Sequence, residues 1–379
     1  MKIALLTDGI YPYVIGGMQK HSFNLVKYFA KNKVFVDLYH TNQSKYDISK
    51  LEFFTEEEKK YIRSFVVNFP SLGTAPGHYI RESFDYSDRI FKLLSVNGDV
   101  DFIYAKGFTA WKLLDEKRKG FKCPPVGVNF HGYEMFQQAP SFRSKLEQIF
   151  LLRKPVLFNI QNADFIFSYG GNITTLIEKL GVDRKKIIES PAGIEQEWVS
   201  TGIRKTEAVR KFIFVGRYER RKGIQEINLT LKDICRDHTF EFHFVGDIAK
   251  KHRLNLPQVK YWGAITDRSK LKEIVSNCDV LVCPSHSEGM PNVILEAMSS
   301  GLSVIATNVG AVNTLVGPNT GWPIGQGKTN ELKNAMIGAV DMKHGDLDKL
   351  KQNSLEHIRS NFLLNDIMTE LINKISLSL

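Results

Sequence analysis

The sequence predicts an α/β fold of two similar halves, each a doubly wound parallel sheet, facing one another across a cleft. Three observations carry that expectation. Short β-branched or aromatic runs alternate with longer stretches of helical period along the chain. The rhythm restarts near residue 211, after an irregular stretch at 190–208 that holds Pro191, Gly193 and Gly202. At 379 residues the chain has room for two domains of ordinary size.

In the first half, strands are expected at 2–7, 34–39, 101–105, 126–130 and 164–168, each followed by helical pattern. The first helix, about 18–31, places Ser22, Leu25, Val26 and Phe29 at i, i+3, i+4 and i+7, one core-facing stripe. In the second half, strands are expected at 212–215, 240–245, 259–262, 279–283 and 303–307, with helices near 224–235, 268–276 and 291–300. Two further helices follow near 330–340 and 346–360. A last one, at 364–375, repeats Ile367, Leu371 and Ile375 every fourth residue and needs a surface to pack on. The expected division is therefore 1–195, 196–360 and a closing helix within 361–379.

Composition narrows the function. Hydrophobic residues at 43% and charged residues at 24% exclude disordered and fibrous classes. Cys123, Cys235, Cys278 and Cys283 are too few and scattered for a disulfide scaffold, and no C-x-x-C pair points to structural zinc. No apolar run approaches the ~20 residues of a membrane-spanning helix. Asp8 arrives too early for a secretory signal, so a cytoplasmic protein is expected. Lys and Arg exceed Asp and Glu by 51 − 41 = 10, which attracts polyanions. Nucleic acid is not the expected partner, because no recognition motif or stacking-aromatic array is present. A nicotinamide oxidoreductase lacks its G-x-G-x-x-G, and Asp37 reads as a structural mid-strand acid. Asp99-Val100-Asp101 looks like a metal-binding D-x-D but sits where acids mark a turn, and it is set aside.

Four constellations carry chemistry. Pro284 through Gly301 runs from a strand through a polar loop into a helix, with Pro291 at its expected first position and Gly301 at its stop. The amides of Gly289, Met290 and Asn292 would then be free at the positive end of the helix dipole, an anion site. Glu288 and Glu296 beside it would repel a phosphate unless they accept hydrogen bonds from sugar hydroxyls. A ligand carrying both groups reconciles the two, although Glu288 as a dipole partner and Glu296 as a solvated helix residue is the plainer alternative. In Phe214-Val215-Gly216-Arg217 … Lys222-Gly223, a planar fork and a point charge suit a diphosphate, or form a solvated basic turn. Gly16-Gly17 before the first helix lets backbone approach a ligand. His131, in Phe130-His131-Gly132, stands at a strand end facing the expected cleft, where it donates a hydrogen bond or shares a proton near neutrality, or is a satisfied structural residue. Two basic–apolar stretches, 111–122 and 142–158, read either as membrane-surface patches or as solvated amphipathic helices.

In order and context these motifs resemble the retaining, nucleotide-sugar-dependent glycosyltransferases of family 4. The resemblance rests on Glu288 to Glu296 within E-G-M-P-N-V-I-L-E-A-M-S-S-G, on F-V-G-R…K-G at 214–223, and on Gly16-Gly17, His131-Gly132 and Gly193-Ile194-Glu195. It implies the GT-B architecture of two Rossmann-like domains, the first for the acceptor and the second for the nucleotide sugar, with the final helix crossing back to the first. Arg217 and Lys222 would hold the donor diphosphate, Glu296 the ribose, and Glu288 with Gly289, Met290, Pro291 and Asn292 the transferred sugar. His131 would sit at its reacting side, and Gly16 and Gly17 would line the phosphates and acceptor entrance. One departure stands out: the family's G-G-x-x-E is here Gly310-Ala311-Val312-Asn313-Thr314, which puts a donor contact from that loop in question.

The resemblance implies sugar transfer to a hydroxyl acceptor with retention, in cell-envelope or capsular polysaccharide or glycolipid assembly. Two cations at the leaving diphosphate make a metal unnecessary, so no cofactor is expected, and the basic patches suit a lipid-linked or glycan acceptor at the inner face of the membrane. A nucleotide-sugar epimerase of similar architecture is the alternative.

Overall fold

The central strands of both halves are mostly apolar, so each needs cover on both faces and cannot lie at a solvated surface. The computed structural model describes residues 1–14, 16–41, 51–75, 77–97, 99–139 and 141–379. In the first half, β1 (Lys2–Leu6), β2 (Phe35–His40), β3 (Ile62–Val66), β4 (Phe102–Lys106), β5 (Val126–Asn129), β6 (Phe165–Ser168) and β7 (Ile187–Glu189) form one sheet in the order β3-β2-β1-β4-β5-β6-β7. In the second, β8 (Arg210–Val215), β9 (Phe240–Val245), β10 (Val259–Gly263), β11 (Val280–Cys283), β12 (Ser303–Thr307) and β13 (Gly321–Ile324) run β10-β9-β8-β11-β12-β13. The strand pairs are parallel, for example Leu5 beside Leu38 and Tyr104, and Leu281 beside Ile213 and Val304. Two doubly wound sheets are thus present, as the periodicity predicts.

Three strands escaped the sequence pattern: β3, β7 and β13. All three are sheet edges. An edge strand pairs on one side only and need not be a continuous apolar run; β3 is partly exposed along its length, β7 has three residues, and β13 carries Pro323.

Helix α1 (Gly17–Lys31) covers one face of the first sheet together with the last helix, α2 (Leu364–Ser376). Leu364, Met368, Leu371 and Ile375 join Leu25, Val26 and Phe29 in one buried cluster, and Lys374 Nζ donates to Glu189 O at 2.8 Å. The surface that the fourfold apolar spacing requires is therefore on the first half. The stretch 190–208 is no solvated linker. Ala192, Ile194 and Trp198 are buried, and Ile194 pairs with Leu363. A single apolar cluster continues from Tyr169 and Ala192 to Met290, Ile294 and Leu295, binding the two halves to each other. The outer face of the second sheet has its own core around Phe212, Phe242 and Met336.

Asp37 is structural, as read: Arg63 grips it with two hydrogen bonds of 2.9 and 2.6 Å. Asp101 accepts from the Lys2 amide at 2.8 Å, a strand-start contact. The cysteines are free thiols.

Candidate active site

In an open parallel sheet, strand C-termini and the helices that follow leave backbone groups unpaired, so ligands gather there. Here the two sets of strand ends meet. The loop after β5 carries His131, and the loop after β11 carries Glu288 and Gly289; a Cβ added to Gly289 would lie 1.7 Å from the His131 carbonyl oxygen. Only glycine permits that approach.

The loop leads into helix α3 (Asn292–Ser299). Pro291 is its N-cap rather than its first helical residue, one position earlier than expected, with ψ at 115°. The amides of Gly289, Met290 and Asn292 make no hydrogen bond among the described residues. Beneath them, the Ala311 amide donates to Gly289 O at 2.7 Å. The loop that departs from the family pattern thus props up the Glu288–Gly289 backbone.

Lys222 Nζ donates to Glu288 Oε1 at 2.7 Å, and Arg221 Nη1 stands 3.4 Å from Glu288 Oε2 while donating to Ser287 O at 2.9 Å. Gly223 makes the contact possible. Its φ of +72° ends the short turn holding Lys222, and a Cβ there would meet Pro284 O at 2.2 Å. Behind it, Arg220 and His286 bind Glu226 at 2.7 and 3.0 Å. Burial alone would raise the Glu226 pKa, but the His286 and Arg220 hydrogen bonds outweigh it and hold the carboxyl at about 2.

Glu296 lies a turn into α3 and lines a crevice that runs from Asn292 of the loop to Lys20, His21, Glu195 and Arg268. Burial raises its pKa, opposed by Lys20 and Arg268 and reinforced by Glu195. A raised carboxyl binds protons more readily folded than unfolded, so its charge weighs against folding once pH rises past its ordinary value of 4.5. Glu296→Gln should therefore raise Tm at pH 7, by about 1 °C if the relief is about 1 kcal/mol. The gain should vanish near pH 4; thermal melts at both pH values check this, and an equal gain at both would overturn it.

The structure thus brings Lys222, Glu288, the 289–292 loop and His131 together. Arg217 stands on the rim, its side chain 80% exposed and paired with Glu219 at 3.0 Å. Gly16 caps α1, whose Lys20 and His21 reach the Glu296 crevice; Gly17 has open space around it.

Sequence reading missed a buried cluster at the strand ends of the first half. Lys106, buried at the end of β4, donates to His21 Nδ1 at 2.8 Å and to Asn129 Oδ1. Burial drives its pKa well below the ordinary lysine value, with Asp8 pulling the other way. Tyr169, whose phenol burial keeps protonated, bonds to His131 Nδ1 at 2.5 Å. Where Lys106 and Tyr169 donate, each ring carries its own proton on Nε2. Both Nε2 atoms are buried and without a partner among the described residues. Burial, then the nearby Lys106 and His21, holds the His131 pKa well below 6.5, so this ring is neutral at pH 7 and does not share a proton near neutrality as expected. His131 also lines a cavity of ≈ 240 Å³ with Asp8, Lys106, Phe130, Glu134 and Tyr86. A lysine ending the otherwise apolar Phe102-Ile103-Tyr104-Ala105-Lys106 was the available signal.

Two parallel α/β domains whose strand ends share one cleft are the GT-B architecture that the motif resemblance implies. Residues 209–341 match the family model of glycosyl transferases group 1, in agreement with the motif resemblance. The chain is similar to sucrose-phosphate synthase from Thermosynechococcus elongatus (TM-score 0.77, 18% identity, 99% of this chain and 98% of that one). It is similar also to Anabaena HepE in complex with UDP (TM-score 0.68, 18% identity, 100% of both chains). Over 169 residues it is 30% identical to the N,N'-diacetylbacillosaminyl-diphospho-undecaprenol α-1,3-N-acetylgalactosaminyltransferase of Campylobacter jejuni, covering 40% of this chain and 42% of that protein. The chain spans less than half the length of the curated relatives it matches at 30% identity or above.

Proposed function

We propose that this protein is a retaining glycosyltransferase that moves a sugar from a nucleoside-diphosphate sugar to a hydroxyl of a glycan or lipid-linked acceptor, in polysaccharide or glycolipid assembly. The observation that carries the reading is the Lys222–Glu288 pair at 2.7 Å beside the unpaired amides of Gly289, Met290 and Asn292. A cation and a helix N-terminus suit a phosphate, and a carboxylate in reach suits the hydroxyls of the sugar it carries.

Breaking the anomeric bond leaves positive charge on the sugar and added negative charge on the diphosphate. Lys222, Arg221 and the loop amides are preorganised for the second, with Arg217 able to swing in from the rim. Glu296 takes the ribose and Glu288 the transferred sugar. The neutral His131 ring offers its Nε2–H to that sugar from the acceptor side, where the ≈ 240 Å³ cavity supplies carboxylates and aromatic walls for an acceptor. The leaving phosphate oxygen takes the acceptor's proton on the same face, since no side chain is placed as a nucleophile in this reading. These cations serve where a metal would, so no cofactor is proposed.

A panel of nucleoside diphosphates tested for thermal stabilisation, followed by nucleotide sugars tested for slow hydrolysis, checks the reading. One diphosphate should raise Tm, by about 2.7 kcal/mol of stability at a hundred times its Kd. Its sugar conjugate should be hydrolysed equally with or without EDTA. No stabilisation by any diphosphate would overturn the donor site, and loss of turnover in EDTA restored by Mg²⁺ would overturn metal independence.

A further inference from the structure

The two basic–apolar stretches of the first half differ once folded. In the helix Trp111–Arg118 and the residues after it, the cations are already answered: Lys112 pairs with Glu116 at 2.7 Å, Lys119 with Asp115 at 2.6 Å, and Lys117 with Asp164. Trp111 packs on Phe84 and Phe108. That face is an ordinary solvated helix.

The segment from Phe142 to Asn162 is different. It runs as a helix at Phe142–Glu147, a π-helical turn at Gln148–Leu152, and a helix at Arg153–Asn162. Phe142, Leu146 and Phe150 follow at fourfold spacing and are 76%, 40% and 73% exposed. The wider π turn holds Phe150 in line with Leu146, where regular winding would carry it further round. Arg143, Lys145 and Lys154 flank the stripe, are exposed, and have no acidic partner among the described residues. The one acid within the stretch, Glu147, is exposed beside three cations.

Its position matters too. Arg153 Nε donates to Met135 O at 2.8 Å, and its guanidinium covers the Phe136 ring, tying the segment to the loop that lines the ≈ 240 Å³ cavity. Leu151 abuts Gly77 at the start of the helix that carries Ser83 and Tyr86 into the same cavity.

We infer that Phe142, Leu146 and Phe150 insert into an anionic lipid surface while Arg143, Lys145 and Lys154 engage its headgroups, which sets the mouth of the cavity against the membrane. Unpaired cations beside unpaired aromatic side chains match an anionic interface between water and hydrocarbon. The inference rests on the transferase reading only for what enters the cavity; the surface itself is independent of it.

The test is co-sedimentation of the whole chain with vesicles of equal parts phosphatidylglycerol and phosphatidylcholine, beside phosphatidylcholine alone. The chain should pellet with the anionic vesicles and not the neutral ones, and raised salt should weaken binding. Phe142→Ser with Phe150→Ser, and separately Arg143→Gln with Lys145→Gln and Lys154→Gln, should each cut partitioning about tenfold or more. Lys112→Gln with Lys119→Gln should not. Because the substituted side chains are exposed, Tm and nucleotide-sugar hydrolysis should stay at wild-type level, which separates failure of this surface from failure of the transferase reading. No binding to anionic vesicles overturns the inference, as does binding indifferent to Phe142 and Phe150. A dimer in solution that the Phe142/Phe150 variant splits would assign the stripe to a second copy instead.

Discussion

Lys222→Ala should lower kcat about 10²–10³-fold, the effect of removing one preorganised contact to developing negative charge. Stability should change little, because Arg221 still stands 3.4 Å from the Glu288 carboxylate that Lys222 leaves behind. The same variant should lose most of the thermal stabilisation given by the preferred nucleoside diphosphate. Lys222→Arg keeps the charge but exchanges a compact ammonium for a planar fork, and should fall between the two. Steady-state turnover of the nucleotide sugar and diphosphate-dependent melting check this together. Unchanged turnover in the alanine variant would remove Lys222 from the reaction and leave its pair with Glu288 as a structural link.

Gly289→Ala should be nearly as severe for a different reason. The added methyl would lie 1.7 Å from the His131 carbonyl oxygen and 3.3 Å from Tyr169 Cε2. The carbonyl belongs to backbone at the end of β5 and cannot rotate aside, so the donor loop or the whole second half must move back. Misplacement of about 1 Å costs about 10²-fold in rate, and solution scattering should show a larger radius of gyration. Gly345→Ala, with nothing within 4 Å of the new methyl, is the control and should retain wild-type rate. Wild-type kcat and scattering in Gly289→Ala would show that closure at this point is dispensable.

Much of the architecture was legible. Apolar runs such as those of β1, β11 and β12 are buried from both faces, and a strand with no solvated side has little choice but a continuous hydrophobic pattern. The edges β3, β7 and β13 were not, because pairing from one neighbour stabilises them without such a pattern. The Lys222–Glu288 neighbourhood was legible as two local motifs, each a strand end followed by a helix start. Arg221 was passed over for Arg217, since arginines four residues apart in one basic loop look equivalent until the backbone points one at Glu288 and the other at solvent. His21, Lys106 and Tyr169 lie on three distant segments, and no local spacing joins them.

By itself the sequence determined the local chemistry of this protein: where strands end, which helix tip is left without partners, and which glycines let backbones approach. Those properties follow from side-chain period and the conformational reach of a few residues, which act within a handful of positions along the chain. Only the tertiary structure decided which charges are already answered, which histidines are buried beside a lysine, and which of two similar basic helices keeps its phenylalanines in the open. Such outcomes depend on what distant segments bring into contact, because burial and pairing are properties of neighbours in space.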